Sequence, residues 1–497
     1  MGLKSGDKGA KAVLKLQHAA AFRRFGTLSE VRDGVRFPDP NDPEPAAMRA
    51  CTREETAVFV DGNVLMMAIP QDVLTLDAWV DIIFGYIRNQ AMAAGKLVVV
   101  VFDEPEHMTW AKKEEQRRRD ASLTIKKVAC SADIAPPPLP INFTRAELEA
   151  VANVGALKKD RLYKARIFDE VIKRVYERLL PIMDRWRANG HDPGVLVLDG
   201  VEVRGCELPE GERRAPVVLA SDPEAATAFA RTSPIGEGDI KLIQLENRLR
   251  ELKALNERYA DYKLALTWTI DTDSFMTMLL DVSKRRITPY PGALHSLFCM
   301  REAAPKRDRD ADTASARASF LTCDTVLLEY KLQCHMWADA SERPTPQMML
   351  HSMLALCASA ALCGCDFTCK GGTKGARFDH FWESFPSFVA QEPKALASFG
   401  SVLADDCTVA RTSTQGLLRV CYAASAHMEE KKYSGTSNKT YKAQAKEVFE
   451  VGDTMLRKAI WTAAYWGQQE FEADQEWGFA PDLSVEAMAQ AQAQAQE

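Results

Sequence analysis

The sequence predicts an α/β protein with a central, mostly parallel sheet. Three short runs of strand-forming residues each lead directly to an aspartate, and long stretches with helical periodicity separate them. Short apolar runs between helices are typical of buried parallel strands. The three runs and their acids are Ala57–Val60 with Asp61, Leu97–Phe102 with Asp103, and Leu264–Ile270 with Asp271.

The composition is that of a globular protein with room for two or three domains. The chain has 497 residues, of which 46% are hydrophobic and 27% charged. No apolar run reaches the ~18 residues that a membrane span needs, so we expect no membrane partner. A net charge of −6 excludes a protein that is basic throughout but allows a local basic surface for nucleic acid.

Cysteine usage indicates an intracellular, reducing compartment. Twelve cysteines occur without a secretory signal, which predicts reduced thiols in the nucleus or cytoplasm. The Lys/Arg-rich segment up to Phe25 has a faint likeness to a mitochondrial transit peptide, from which Asp7 departs. Cys363, Cys365 and Cys369 lack a paired partner set and are expected to be buried thiols rather than metal ligands.

Seven acids fall at the ends of hydrophobic segments. Ligands of open α/β sheets lie at the carboxyl ends of the strands, and acids two residues apart on an extended chain point to one side. Carboxylate oxygens suit Mg²⁺ or Mn²⁺, and seven are enough for two ions that activate water and stabilise the leaving oxygen of a phosphodiester. The seven are Asp61, Asp103, Glu237, Asp239, Asp271, Asp273 and Asp366.

The order of these acids resembles the acidic blocks of the flap endonuclease and XPG family, in the PIN-like 5′-nuclease superfamily. The resemblance implies a resolvase-like nuclease core in which Asp61, Asp103, Glu237 and Asp239 surround one Mg²⁺ or Mn²⁺. Asp271, Asp273 and Asp366 would hold the second ion, with Asp239 shared. The blocks are Phe59-Val60-Asp61, Val101-Phe102-Asp103, Gly236-Glu237-Gly238-Asp239, Ile270-Asp271-Thr272-Asp273 and Gly364-Cys365-Asp366-Phe367.

A strongly basic helical stretch follows Asp103, at 108–128. The resemblance implies that it belongs to a helical arch whose cations contact the scissile phosphate. Arg117 has the corresponding spacing, whereas Trp110 occupies the place of the expected lysine, so Lys112 or Lys113 would have to substitute. We expect further nucleic-acid contacts from Arg118 and Lys241.

The segment after Asp366 is similar to the glycine-rich hairpin of a helix-two-turn-helix element, at about 364–385. The resemblance implies that its amides and basic side chains hold a duplex backbone away from the cut, commonly with a K⁺ ion. The residues concerned are Gly371, Gly372, Lys374, Gly375 and Arg377.

The predicted organisation has three parts. An N-terminal extension covers 1–56, the nuclease core covers 57–385 with the arch insertion at about 104–189, and a helical extension with an Ala/Gln tail covers 386–497. The stretch 195–203 is predicted to be a hairpin turning at Asp199-Gly200, with Asp199 as a turn residue.

The predicted function is structure-specific hydrolysis of branched or 5′-ended DNA by two metal ions, of the kind used in DNA replication and repair. One alternative is a 5′→3′ exoribonuclease, because the block 236–241 is more similar to that branch. Another is a non-catalytic nucleic-acid-binding scaffold. The presence of all seven acids favours an enzyme over a scaffold.

Overall fold

A computed structural model describes most of the chain outside the basic stretch and the C-terminal tail. The chain divides into a sheet unit, 17–108 with 116–329, and a helical unit, 1–16 and 109–115 with 330–497. The described residues are 10–38, 48–70, 73–103, 111–112, 144–151, 154, 161–199, 217–219, 229, 237–290, 292–302, 319–365, 367–368, 377–403, 409–433 and 453–468.

The described strands form one eight-stranded sheet and a separate two-stranded ribbon. The sheet has the order β1-β10-β9-β8-β4-β5-β6-β7, and the ribbon pairs β2 with β3. The strands are β1 Phe22–Phe25, β2 Arg36–Pro38, β3 Met48–Ala50, β4 Thr56–Asp61, β5 Leu97–Val101, β6 Val195–Asp199, β7 Val217–Leu219, β8 Leu264–Trp268, β9 His295–Glu302 and β10 Ser319–Asp324.

The five central strands, β9-β8-β4-β5-β6, run parallel, and the pairings outside them are antiparallel. This arrangement confirms the predicted α/β class, the mostly parallel sheet and the three predicted strands. Asp61 at the end of β4 lies opposite Val101 at the end of β5, and Val101 lies opposite Asp199 at the end of β6. The carboxyl ends of these strands therefore meet at one edge.

The two faces of the sheet bury alternate residues of the same strands, as the two-residue period of a strand requires. On one face Val58, Val98 and Leu266 join a large cluster with the helices Leu76–Tyr86 and Arg161–Ala188. On the other face Phe59 and Val99 join a second cluster with the helix Gly238–Leu255. Helices thus cover both faces, which explains why β4, β5 and β8 are apolar at almost every position.

Helices make up the rest of the described elements. Pro346–Leu362 (α10) is buried throughout Leu350–Leu362, as expected of a helix that is apolar all round and surrounded by others. The helices are α1 Ala10–Gln17, α2 Leu28–Asp33, α3 Gly62–Met67, α4 Leu76–Tyr86, α5 Arg145–Glu149, α6 Arg161–Ala188, α7 Gly238–Leu255, α8 Thr272–Arg285, α9 Thr325–Met336, α10 Pro346–Leu362, α11 Phe378–Gln391, α12 Pro393–Ala397, α13 Val409–Tyr433 and α14 Asp453–Trp466.

The division of the chain differs from the predicted one at both ends. Residues 17–56 are part of the sheet unit, because β1 pairs with β10 and Leu28 and Val31 lie in the core. At the other end, 330–385 groups with the C-terminal helices instead of the sheet. A single sequence shows strand and helix periods, but not which elements bury their apolar faces against each other.

The predicted arch insertion includes a helix that the structure places in the core. Helix α6, which closes it, is a core helix: Ile172, Val175, Leu179 and Met183 are fully buried against the sheet. The expected basic part of the arch, including Lys113, Arg117 and Arg118, lies outside the described residues. Within the described chain, the insertion is therefore anchored by the protein's main core.

The predicted tight hairpin at Asp199-Gly200 is wrong. Both edges of β6 are occupied along Leu196–Leu198, by parallel β5 on one side and by antiparallel β7, Val217–Leu219, on the other. The antiparallel partner therefore comes from well beyond the expected turn. Asp199 instead ends a central strand, as Asp61 does.

Two absences hold for the described part of the chain. None of its helices has the length and apolarity needed to cross a membrane. None of its eight cysteines forms a disulfide; Cys363 and Cys365 are buried as expected, while Cys369 falls outside the described ranges.

Candidate active site

Asp61 is held at the end of β4 by two hydrogen bonds. It caps α3, so that its Oδ1 accepts a hydrogen bond from the backbone N–H of Asn63 at 2.9 Å. Its Oδ2 accepts a hydrogen bond from the Thr269 hydroxyl at 3.2 Å. The residue is only 5% exposed, because β4 is buried along its whole length.

Asp103 follows β5 and is held by the start of helix α7. The backbone N–H of Gly238, the first residue of α7, donates to Asp103 Oδ1 at 2.9 Å. A Cβ atom at Gly238 would lie 3.3 Å from Asp103 Oδ1 and 3.7 Å from Asp61 Oδ1. The two carboxylates therefore approach the same point, and the positive end of the helix dipole faces them.

Asp239 and Asp271 continue the cluster from two different helices. Asp239 lies in the first turn of α7, and its Oδ1 accepts a hydrogen bond from the Ser274 hydroxyl at 2.6 Å. Asp271 caps α8 by accepting from the backbone N–H of Asp273 at 3.2 Å. The backbone N–H of Asp271 in turn donates to Thr269 Oγ1 at 3.1 Å.

Two buried hydroxyls join the acids. Thr269 and Ser274 lie 3.4 Å apart, oxygen to oxygen, and each binds one carboxylate, Asp61 and Asp239 respectively. Sequence reasoning missed both. The available signal was their position, because each lies within three residues of an acid in the same block.

Burial and mutual repulsion raise the pKa of two of these acids. Burial, followed by the charges of Asp103 and Asp271, raises the pKa of Asp61 from 3.8 to about 7. Burial, followed by the charges of Asp271, Asp61 and Glu237, raises the pKa of Asp239 well above its ordinary value. Five of the predicted acids thus act on one another within one site, which a bound cation would stabilise.

The donor set fits a divalent cation by its chemistry. All the ligands it offers are carboxylate oxygens, the type that Mg²⁺ and Mn²⁺ prefer. The side chains of Asp61, Asp103 and Asp239 are each turned to a neighbouring donor. In keeping with this, no group of three or more His, Cys, Asp or Glu within the described ranges has an arrangement that holds a metal ion.

Two of the three remaining predicted ligands lie at the starts of helices. Glu237, 6% exposed, is the N-cap residue of α7, and Asp273, 7% exposed, lies in the first turn of α8. Asp366 lies outside the described residues.

Lys241 has a different environment from the one expected of a nucleic-acid contact. It is 2% exposed, and its Nζ lies 3.4 Å from Asp199 Oδ2, a carboxylate at the end of β6. A buried ammonium paired with a nearby carboxylate positions that carboxylate and is turned away from solvent. Asp199 therefore belongs to the same sheet edge as the other acids, which its place at the end of an apolar run could have indicated.

Two predicted basic residues of the helical unit have partners within that unit. The Lys112 ammonium lies 5.6 Å from the centre of the Phe367 ring, a cation–π distance. Arg377 binds the carboxylate of Asp379 through two nitrogens, with Nε to Oδ1 at 2.9 Å. Gly371, Gly372, Lys374 and Gly375 fall in gaps between the described ranges.

Neither a scan against models of protein families nor a search of curated proteins found a match for this chain.

Proposed function

We propose that this chain is a metal-dependent 5′ nuclease that hydrolyses phosphodiester bonds of flap or 5′-ended DNA. The observation that carries the proposal is the pair of carboxylates Asp61, which is buried, and Asp239, which is partly buried, crowded by Asp103, Glu237 and Asp271 at one sheet edge. Like charges buried together are costly unless a cation binds them. Active sites are also where pKa values are most often perturbed by burial combined with a specific charged neighbour.

In this proposal, Asp61, Asp103, Glu237 and Asp239 hold one Mg²⁺ or Mn²⁺. Asp271, Asp273 and Asp366 hold the second. The bound ions supply an activated water and stabilise the charge of the leaving oxygen.

The chain's own residues orient these ligands. The Thr269 and Ser274 hydroxyls fix one oxygen each of Asp61 and Asp239, and the Gly238 N–H fixes one oxygen of Asp103. Asp103 and Asp239 each keep a second oxygen for other ligands, whereas both oxygens of Asp61 accept a hydrogen bond and each keeps one further lone pair. The orientation is therefore set by side chains and backbone that do not themselves bind the ion.

The substrate contacts are proposed from the sequence. Arg117, with Lys112 or Lys113, contacts the scissile phosphate, and Arg118 lies beside it on the substrate backbone. In the helical unit Lys374 and Arg377, with the amides of the neighbouring glycines and a K⁺ ion, hold the duplex. Lys241 acts through its ion pair with Asp199 and positions the acidic edge.

The test is a cleavage panel in the presence of Mg²⁺. A 5′-labelled flap duplex and a single-stranded RNA with a 5′-phosphate are offered to the wild type and to Asp239→Asn and Asp271→Asn. We expect flap cleavage by the wild type and a loss of about 10³-fold or more in both variants, because each removes a metal ligand. Asp261→Asn, which removes an exposed acid of the same unit, is the matched control and should retain full activity.

The same panel separates the alternatives. Turnover that persists in both acid variants would contradict the assignment of the site. Degradation of the RNA with the flap left intact would replace the proposal by the 5′→3′ exoribonuclease. Tight binding of either substrate without Mg²⁺-dependent cleavage would identify a scaffold.

A further inference from the structure

A second candidate site lies at the opposite edge of the sheet. A cleft of about 450 Å³ opens where the parallel strands begin, between Arg53 before β4, Met92 before β5 and His191 before β6. Strands of five or six residues at roughly 3.3 Å each place this edge about 15–20 Å from the acids. The volume falls in the range of small-molecule pockets.

One wall of the cleft is a π-helix. The helix α4 continues into a π-helical turn over Ile87–Met92, and this turn supplies Arg88, Asn89 and Met92 to the lining. π-Helical turns are rare and frequently occur at functional sites, since the wider turn changes where side chains point. Here it turns two polar side chains toward the cleft.

Four of the side chains that line the cleft are available to bind a ligand. Across the described chain, no hydrogen bond or ion pair engages the side chains of Arg88, Asn89, His191 or Trp186, while the Arg88 guanidinium lies 5.8 Å from the centre of the Phe84 ring. Guanidinium and indole groups only donate hydrogen bonds, and an amide offers two N–H donors beside its acceptor oxygen. The cleft therefore offers donors to a ligand rich in acceptors.

The charges around the cleft favour an anion. Arg53 is fixed by the backbone carbonyls of Met92 and Pro193, at 2.9 and 2.8 Å, so that its positive charge stays in the wall, with Glu54 at 3.9 Å. The lining acid, Asp192, is paired with Lys96 at 2.8 Å. The Arg88 charge is then left to attract an anionic group.

The remaining wall favours a flat, apolar ring. Trp186, near the end of α6, lines the cleft and is half-buried, and Met92 is buried beside it. An indole face and a thioether give a surface on which a planar ring can stack, next to the cationic group.

We propose that this cleft binds a small planar anion of the nucleoside monophosphate class, with the phosphate at Arg88 and the base at Trp186. The site is independent of the acidic edge and of the proposed nuclease activity. It would let a mononucleotide bind to the sheet unit while the acidic edge is free.

Isothermal titration calorimetry with adenosine monophosphate tests the proposal. The full-length protein is kept in a chelator, so that no divalent ion reaches the acids. We expect saturable binding, weakened about tenfold or more in Arg88→Ala. Arg185→Ala, which removes an exposed charge one residue from Trp186 on α6 but outside the lining, is the control and should bind like the wild type.

Two further ligands separate the parts of the proposal. Ribose 5-phosphate and adenosine should each bind more weakly than adenosine monophosphate, because each lacks one of the two recognised groups. Absence of saturable binding by adenosine monophosphate, or equal affinity in Arg88→Ala and the wild type, would overturn the site. Equal affinity for ribose 5-phosphate and adenosine monophosphate would overturn the place of the base. Thermal unfolding of Arg88→Ala verifies that the variant is folded.

Discussion

At the scale of single residues, the acids of the sheet edge differ from ordinary surface acids in what surrounds them. Asp61 is buried, and its two oxygens already accept hydrogen bonds from Asn63 and Thr269. These bonds favour the charged form, yet burial and the neighbouring charges outweigh them and raise its pKa to about 7. Electrostatic repulsion among these acids therefore destabilises the metal-free protein, and this loss of stability depends on pH.

We expect the metal-free protein to lose stability as the pH rises from about 4 to 7. The folded pKa of Asp61 lies above its unfolded value, so the folded state binds the proton more tightly. The stability that this tighter binding contributes is fully present below the unfolded pKa and is lost as the pH rises through the folded pKa. Asp61→Asn should flatten the profile and raise the free energy of unfolding at pH 8 by about 2–4 kcal/mol. Chemical denaturation in a chelator from pH 4 to 8 measures this.

The control for that series is Asp261→Asn, an exposed acid of the same unit, which should leave the profile unchanged. Asp239→Asn should act in the same direction as Asp61→Asn, because its pKa is raised by the same kinds of neighbour and Asn can still accept the Ser274 hydrogen bond. A wild-type stability that rises with pH over this window would contradict the electrostatic account.

A second prediction at this scale concerns the glycine that follows Asp61. A Cβ atom at Gly62 would lie 2.3 Å from the ring of Phe102, a core side chain that is 2% exposed. Gly62→Ala should therefore lower the free energy of unfolding by about 1–3 kcal/mol or more through overpacking. At Gly85, inside α4, a Cβ atom would meet only Asn89 Nδ2 at 3.9 Å, so Gly85→Ala should be neutral or stabilising. Equal effects of the two substitutions would refute the close approach at Gly62.

At the scale of secondary-structure elements, α6 joins the predicted insertion to the main core. Its apolar face enters the same cluster as β4, β5 and β8. Beside that face, Arg174 is 5% exposed on its side chain and pairs with Asp77, Glu149 and Glu170 at 2.8, 2.6 and 2.9 Å. These contacts tie α4, α5 and α6 together, so the segment is held at its base by apolar burial and by ion pairs.

Adjacent leucines of α6 test this placement. Leu179 is fully buried and Leu180 is 37% exposed. Leu179→Ala should cost about 2–5 kcal/mol, as deletion of buried methyl groups does, whereas Leu180→Ala should cost under about 1 kcal/mol. Both are read from urea denaturation midpoints. Similar small costs for both would mean that α6 stands apart from the sheet as a free arch.

At the scale of the whole molecule, the two units correspond to different kinds of core. Both large apolar clusters of the sheet lie within 28–320, while the helical unit is built around the buried helix α10. The boundary between the two units does not fall in a linker, because the sheet unit ends inside α9, between Glu329 and Tyr330. The natural fragment boundaries therefore differ from those that the motifs alone indicate.

A fragment covering 17–336, which extends the sheet unit to the end of α9, should fold and unfold cooperatively. It keeps both apolar clusters and the whole eight-stranded sheet. The fragment 57–385 is the comparison: it removes β1 and α2, with Leu28 and Val31, and it also removes the helices that bury α10. We expect it to aggregate or to melt at a lower temperature. Circular dichroism melting measures both, and greater stability of 57–385 would contradict the assigned units.

The sequence by itself determined the class of fold, the three acid-bearing strands and the positions of Asp61, Asp103 and Asp271 at the ends of those strands. These are local properties: an apolar run is read residue by residue, and an acid directly after it must lie at the strand's end. Only the tertiary structure placed Asp199 with its buried partner Lys241, or the hydroxyls of Thr269 and Ser274 between the carboxylates. It also decided that β1 and α6 belong to the core, because burial depends on what packs across the sheet, and a linear pattern does not encode that partner.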